Sequence, residues 1–159
     1  MEDSDKKNHF EDTEISLRFA TSADIPVLTR LEQSVAGTHI YSPMLEAQEW
    51  EEELARAKVF LIENNSGVVG NVSYEKMADG SVYISGLVIE PRFQGQGIAR
   101  KTLENILKRL RGVKKVWLVT HPENVSAISL YQSLGFVVQE RIENYYDDGE
   151  PRIKMILNH

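Results

Sequence analysis

The chain predicts an α/β layered fold: one mixed, mostly antiparallel seven-stranded sheet with four helices, in the order β-α-α-β-β-β-α-β-α-β-β. Three observations carry this. Residues 82–120 hold an apolar strand, a helical segment and a second apolar strand, a unit that should be parallel and right-handed. Turn signals at Asn64-Asn65-Ser66-Gly67 and Asp79-Gly80 separate runs of β-favouring residues and so make hairpins. Asp147-Asp148-Gly149 does the same near the end of the chain.

Ile15 to Phe19 alternates apolar and polar residues and reads as the first strand. Thr21 or Ser22 caps a helix from Ala23 to about Val35, with Ile25, Leu28, Leu31 and Val35 on one face. Met44 to Ala57 reads as a second helix with Leu45, Trp50, Leu54 and Ala57 as its apolar points. Val59 to Glu63, Val68 to Met77 and Val82 to Glu90 follow as strands. Gly86 inside the last of these marks a bulge or a close backbone approach. A helix then runs to about Leu110, with Leu103, Ile106, Leu107 and Leu110 facing inward and Gly112 ending it. Lys115 to Thr120 is an apolar strand, Asn124 caps a short helix that Gly135 closes, and Phe136 to Tyr145 and Arg152 to Leu157 are the last strands.

A chain of 159 residues is the size of one domain with a substantial core. Residues 15–159 are expected to form it; residues 1–14, with six acids against two lysines and few apolar groups, are expected to be a disordered acidic tail. That tail lacks the apolar segment of a secretory signal, and no apolar run approaches a membrane span. The expected setting is therefore cytoplasmic, away from membranes. The net charge of −6 argues against a nucleic-acid partner and mildly favours a cationic one. There is no cysteine, which excludes disulfides, thiolate metal sites and a cysteine nucleophile.

The chemistry is concentrated between Gly86 and Leu103. An apolar strand, Leu87-Val88-Ile89, runs into the Pro91 turn, then into Gln94-Gly95-Gln96-Gly97, and a helix begins at Ile98-Ala99-Arg100. Glycines let backbone N–H groups turn toward a ligand, and a helix N-terminus adds unpaired N–H groups and a positive dipole end. Arg100 and Lys101 lie in the first helical turn, where cations oppose the dipole unless an anion sits nearby. A phosphate-bearing ligand fits. The Lys-Ser/Thr of a nucleotide P-loop is missing, and Arg100 stands where the dinucleotide motif needs its third glycine.

Gln94-x-x-Gly97-x-Ala99 resembles the Q/R-x-x-G-x-G/A signature of the GNAT superfamily of acetyl-CoA-dependent N-acetyltransferases. Two more segments, in family order, resemble it too. Asn124-Val125-Ser126-Ala127-Ile128-Ser129-Leu130-Tyr131-Gln132-Ser133-Leu134-Gly135-Phe136 is similar to N-x-x-A-x-x-L-Y-x-x-x-G-F, and Leu17 to Leu28 is similar to the family's opening strand and helix. The nearest look is to the ribosomal-protein alanine and N-terminal protein acetyltransferase branch.

The resemblance implies acetyl transfer from acetyl-CoA to a primary amine by direct attack in a ternary complex, without a metal. Loop amides from Gln94 to Arg100 would hold the pyrophosphate. The backbones of Leu87, Val88 and Ile89 would bind the pantetheine arm, with one N–H polarising the acetyl carbonyl. Asn124 caps its helix and would also touch coenzyme A. Tyr131 would stabilise the departing thiolate. A tyrosine near pKa 10 and a thiol near 8.5 make full proton transfer uphill by roughly 2 kcal/mol, so a strong hydrogen bond is the expected contribution.

No general base is evident. Val119 stands where the branch has a glutamate, leaving His121 or Glu90, directly or through water, as candidates. An α-amine, with pKa about 7.7–8.0, needs least help, which favours a protein or peptide N-terminus as acceptor. A small amine such as a polyamine, amino acid or aminoglycoside is the alternative, and a non-catalytic acyl-CoA-binding module is the rival of another class. Tyr41, Trp50, Tyr145 and Tyr146 are candidates to line the acceptor site, with Asp147, Asp148 and Glu150 drawing in a cation; the Glu49–Glu53 run reads as a solvated helix face. The expected assembly is a monomer or homodimer.

Overall fold

In the computed structural model, which describes residues 14–159, every strand joins one sheet. The expectation for residues 1–14 lies, apart from Glu14, outside the described residues. The strands are β1 Ser16–Phe19, β2 Lys58–Asn64, β3 Gly67–Lys76, β4 Val82–Ile89, β5 Lys115–Thr120, β6 Val137–Ile142 and β7 Arg152–Asn158. They lie in the order β1-β2-β3-β4-β5-β7-β6. Only β4 and β5 pair in parallel; the helix between them supplies the crossover. The predicted sheet, seven strands and four helices, is the observed one.

Alternation along the strands divides the core into two layers. Phe60 and Ile62 of β2 face α3 (Ile98–Arg109) and α4 (Val125–Ser133), with Leu103, Ile106 and Phe136 fully buried there. Val59 and Leu61 face α1 (Ile25–Ser34) and α2 (Ala47–Arg56), against Leu28, Leu31 and Trp50.

Three boundaries differ from the sequence expectation by two residues or more, each for a local reason. Ser22–Asp24 form a single 3-10 turn in which the Asp24 carboxylate accepts the Thr21 N–H at 2.8 Å, so α1 starts at Ile25. Glu46 caps α2, its N–H bonded to the Glu49 carboxylate at 3.3 Å, so that helix starts at Ala47 rather than Met44. β6 stops at Ile142, short of Tyr145, because Asn144 and Asp147 take φ of +51° and +60° and Asn144 Oδ1 accepts the Gly149 N–H at 2.6 Å.

What positions the site is the behaviour of β4. Its pairing with β5 covers only Val82–Val116 and Tyr83–Trp117, after which the strands part. On its other side it follows β3 to Ile89. There Ser73 pairs with Gly86 and Tyr74 with Ile84, so Ser85 is the extra residue of a bulge beside Gly86, where the strand glycine marked one. Gly70 lets β3 approach closely: a Cβ there would stand 2.2 Å from the Val88 carbonyl oxygen. No helix among the described residues is long and apolar enough to cross a membrane.

Gly70→Ala must therefore push β4 away from β3. We expect a loss of about 2 kcal/mol or more in chemical denaturation. Gly112→Ala, with nothing within 4 Å of the added carbon, serves as the control that stays near the parent.

Candidate active site

The glycine loop sits at the end of β4. A 3-10 turn, Pro91–Phe93, leads into it, and Gln94 Nε2 donates to the Ile89 carbonyl at 2.9 Å, fixing the loop to the strand end. The Gln94 side chain thus braces the loop, leaving the backbone to meet a ligand. Gly95 and Gly97 hold φ of +79° and +82°, and a Cβ at either would meet nothing within 4 Å. The first helical bond of α3 runs from Lys101 N–H to Gly97 O at 3.1 Å. The amides of Ile98, Ala99 and Arg100 precede that bond and are the orphan donors of the helix. The Arg100 guanidinium donates to Ser133 Oγ of α4 at 2.5 Å. A cavity of about 390 Å³ opens here, lined by Gln94, Gly95, Gly97, Ile98, Ala99 and Arg100, with Leu87 and Ile89 behind them; Gln96 lies outside the lining.

A second cavity, about 550 Å³, fills the gap where β4 and β5 separate. Leu87 and Val88 form one side, and Leu118, Val119, Thr120 and His121 the other. The two cavities share Tyr41, Leu87, Asn124 and Tyr131. Asn124 Oδ1 accepts the Ala127 N–H at 3.4 Å and so caps α4, which presents Tyr131 about two turns further on. Burial, and secondarily Tyr41, push the Tyr131 phenol up to about 12. The phenol therefore stays protonated, on a residue that lines both cavities.

His121 is buried, and both ring nitrogens are engaged. Nδ1 accepts the Glu123 N–H at 3.0 Å and Nε2 donates to Glu150 at 2.9 Å. This is the neutral tautomer with no free lone pair, so His121 braces the β6–β7 turn instead of offering a base. His39, in the α1–α2 loop, bonds the Glu123 carboxylate, which raises the His39 pKa and lowers that of Glu123. Glu90 pairs with Arg92 at 2.9 Å and lines neither cavity.

The acceptor wall needs one correction. Tyr41, Tyr145 and Tyr146 line the larger cavity, but Trp50 does not. Trp50 is fully buried between α1 and α2, with its indole N–H donating to the Met44 carbonyl at 3.1 Å. Tyr83 takes a place sequence reasoning missed: it stacks on Trp117 at 4.2 Å, with its hydroxyl 3.2 Å from that of Tyr146. Its alternation with the buried Val82 and Ile84 was the available signal.

The carboxylates differ as well. Asp148 pairs with the buried Arg152 at 3.1 Å, Glu150 is held by His121, and Asp147 accepts from Asn144 at 3.2 Å. Glu32, Glu49, Glu53 and Glu75 line the cavity instead. Glu53 is not solvated: it is buried and accepts from Ser85 Oγ at 2.7 Å and Arg56 at 2.9 Å. Glu32 is buried too, and it accepts the Met44 N–H at 3.3 Å; burial pushes its carboxyl up to about 7. Both positions were legible as buried: Glu32 follows the Leu28-Leu31-Val35 stripe, and Glu53 lies one turn from Trp50.

Among curated proteins, the chain is similar to the [ribosomal protein bS18]-alanine N-acetyltransferase of Escherichia coli (strain K12), 37% identical over 73 residues. That match covers 45% of this chain and 49% of the relative, so the chain spans about half the length of the curated relative it matches. Among solved structures, the ribosomal-protein-S18-alanine N-acetyltransferase from Escherichia coli superposes with a TM-score of 0.78 at 25% identity, covering 91% of this chain and 94% of that one. A GNAT family acetyltransferase from Elizabethkingia anophelis with acetyl-CoA bound shares the fold, with a TM-score of 0.69 at 17% identity over 91% of this chain and 98% of that one. The family model of the acetyltransferase (GNAT) family matches residues 25–136. With that match spanning the glycine loop, the parted strands and the Asn124–Phe136 segment, the chain belongs to the acetyltransferase (GNAT) family.

Proposed function

We propose that this protein transfers an acetyl group from acetyl-CoA to a primary amine, by direct attack in a ternary complex. The observation that carries the reading is the junction of the two cavities at Tyr41, Leu87, Asn124 and Tyr131. One cavity has the orphan amides and positive-φ glycines that suit a pyrophosphate. The other is lined by four carboxylates and several tyrosines, with Arg56 and Arg152 among them, and suits an amine. Acetyl-CoA, when bound, supplies the activated thioester.

The residues of this chain do the rest. Gly95, Gly97, Ile98, Ala99 and Arg100 turn their amides to the phosphates. Leu87, Val88 and Ile89, unpaired on the β5 side, offer backbone groups to the pantetheine amides, as an edge strand would. An N–H of this segment would polarise the acetyl carbonyl. Tyr131 donates a hydrogen bond to the sulfur as negative charge develops there.

For the acceptor, the α-amine of a protein or peptide is the first reading. The relative that acts on a ribosomal-protein alanine supports it. Tyr41, Tyr145 and Tyr146 give an open, aromatic approach of the kind an extended chain can use. Glu32 and Glu49, which line the cavity without an arginine partner of the kind Glu53 and Glu75 have in Arg56, favour the second reading, a small cationic amine.

Free-thiol release from acetyl-CoA across alanine-first and other short peptides, polyamines, amino acids and aminoglycosides tests the proposal. Turnover should require one amine class. Acetyl-CoA binding without turnover on any amine would favour the non-catalytic module. Tyr131→Phe should lower kcat by about 10-fold or more and leave acetyl-CoA affinity within about two-fold. Gly97→Ala should act oppositely. The left-handed conformation costs an L-residue about 1–2 kcal/mol, so acetyl-CoA affinity, read by calorimetry, should fall by about 5-fold or more.

A further inference from the structure

An amine that arrives as an ammonium ion must lose a proton before it can attack. Of the groups with a suitable lone pair, His121 is fully bonded, and Glu90 is paired with Arg92 and lines neither cavity. Val119, on β5, has none to offer. Four carboxylates line the larger cavity. Glu53 is held by Ser85 and Arg56, Glu75 lies 3.8 Å from Arg56, and Glu49, in the first turn of α2, is exposed to solvent. Glu32 is buried, accepts the Met44 N–H at the long distance of 3.3 Å, and has the neutral Asn71 amide beside it.

Its placement is what matters. Glu32 stands in α1, buried at 7% exposure, yet it reaches the cavity wall. The Asn71 amide lies beside its carboxylate, and Asn71 pairs across the sheet with Val88. Glu32 therefore lies over the stretch of β4 that would hold the acetyl group. The groups facing it are the Met44 amide of the α1–α2 loop, Asn71 of β3, and Glu49 and Glu53 of α2. None is a cation. Asn71 itself is fully buried, and its Nδ2 and Oδ1 close no hydrogen bond of their own among the described residues. Burial and the two neighbouring carboxylates raise the Glu32 pKa to about 7, while the Met44 and Asn71 groups oppose the rise; a carboxylate tuned there can take a proton and give it back near neutral pH.

We propose that Glu32 is the proton acceptor that converts the bound ammonium group into the attacking amine. The inference rests on the acetyltransferase reading above. The ammonium gives one proton to a Glu32 carboxylate oxygen. The freed nitrogen lone pair forms the C–N bond to the acetyl carbon, the C–S bond breaks, and its electron pair leaves with sulfur. The second nitrogen proton ends on the thiol, with Tyr131 stabilising the sulfur meanwhile. Glu32 then returns its proton to solvent. This balances as ammonium plus thioester giving amide, thiol and one released proton.

The test is the pH dependence of kcat/KM, measured for the wild type and for Glu32→Gln. The glutamine oxygen can still accept the Met44 N–H, so a purely structural role survives the change. In the wild type, activity should rise as pH climbs through about 7, because the deprotonated carboxylate is the working form. The midpoint should stay put when an alanine-first peptide is replaced by its β-alanine-first counterpart, whose amine is more basic. Glu32→Gln should keep its thermal midpoint and acetyl-CoA affinity, lose that limb and fall by about 100-fold in kcat. Glu32→Asp should restore the limb at reduced rate. Wild-type kcat and pH profile in Glu32→Gln would overturn the proposal. So would a wild-type limb that moves with the amine, a result that does not depend on any variant folding. Absence of wild-type turnover on every amine would instead overturn the reading beneath it.

Discussion

Two residue pairs hold β4 to β5, and everything functional follows from how soon that pairing ends. Beyond Tyr83 and Trp117 the backbone of β4 keeps its partner on one side only. Amide and carbonyl groups inside a protein need partners, and here the sheet itself withholds them. The opening is thus an edge strand placed inside a sheet, with β3 and the Gly70 contact keeping β4 rigid from behind. A ligand with its own amides can complete it. The Ser85 bulge beside Gly86 turns the strand where the gap begins, and the glycine loop waits where the strand ends.

The two helical layers divide the labour. The α3–α4 side carries the anion-binding amides and Tyr131, and its core is apolar. The α1–α2 side carries buried carboxylates, Glu32 and Glu53, beside an Asn71 amide that closes no hydrogen bond among the described residues. Burying such groups costs stability unless each is paired, and Glu32 is not paired with a cation. Departures from good packing of this kind concentrate at functional sites. The His121–Glu150 bond and the His39–Glu123 bond act differently: they tie the α1–α2 loop, the end of β5 and the β6–β7 turn together over the acceptor cavity.

Much of this was legible in the amino-acid order. The element sequence, the bulge at Gly86, the glycine loop and the Asn124 cap follow from local chemistry, and local chemistry is what a sequence displays. Trp50 was rightly read as an apolar point of its helix but wrongly given to the acceptor wall, because an aromatic residue suits a binding site as well as a core and only the fold shows it spent on the α1–α2 core. Glu53 and Glu32 were passed over for the converse reason: a carboxylate reads as solvated even when it shares a face with Leu28, Leu31 or Trp50. The saturation of His121 required knowing that Glu150, 29 positions away, lies within bonding distance. Side-chain pairing across a turn carries no local signature.

The most direct test of the central claim is residue-resolved amide hydrogen exchange, with and without coenzyme A. If the parted strand and the glycine loop form the cofactor seat, protection should appear along Leu87–Ile89 and at Ile98, Ala99 and Arg100, with little change in β1 and β6. Binding that leaves those amides unprotected, or protects a different surface, would contradict the account.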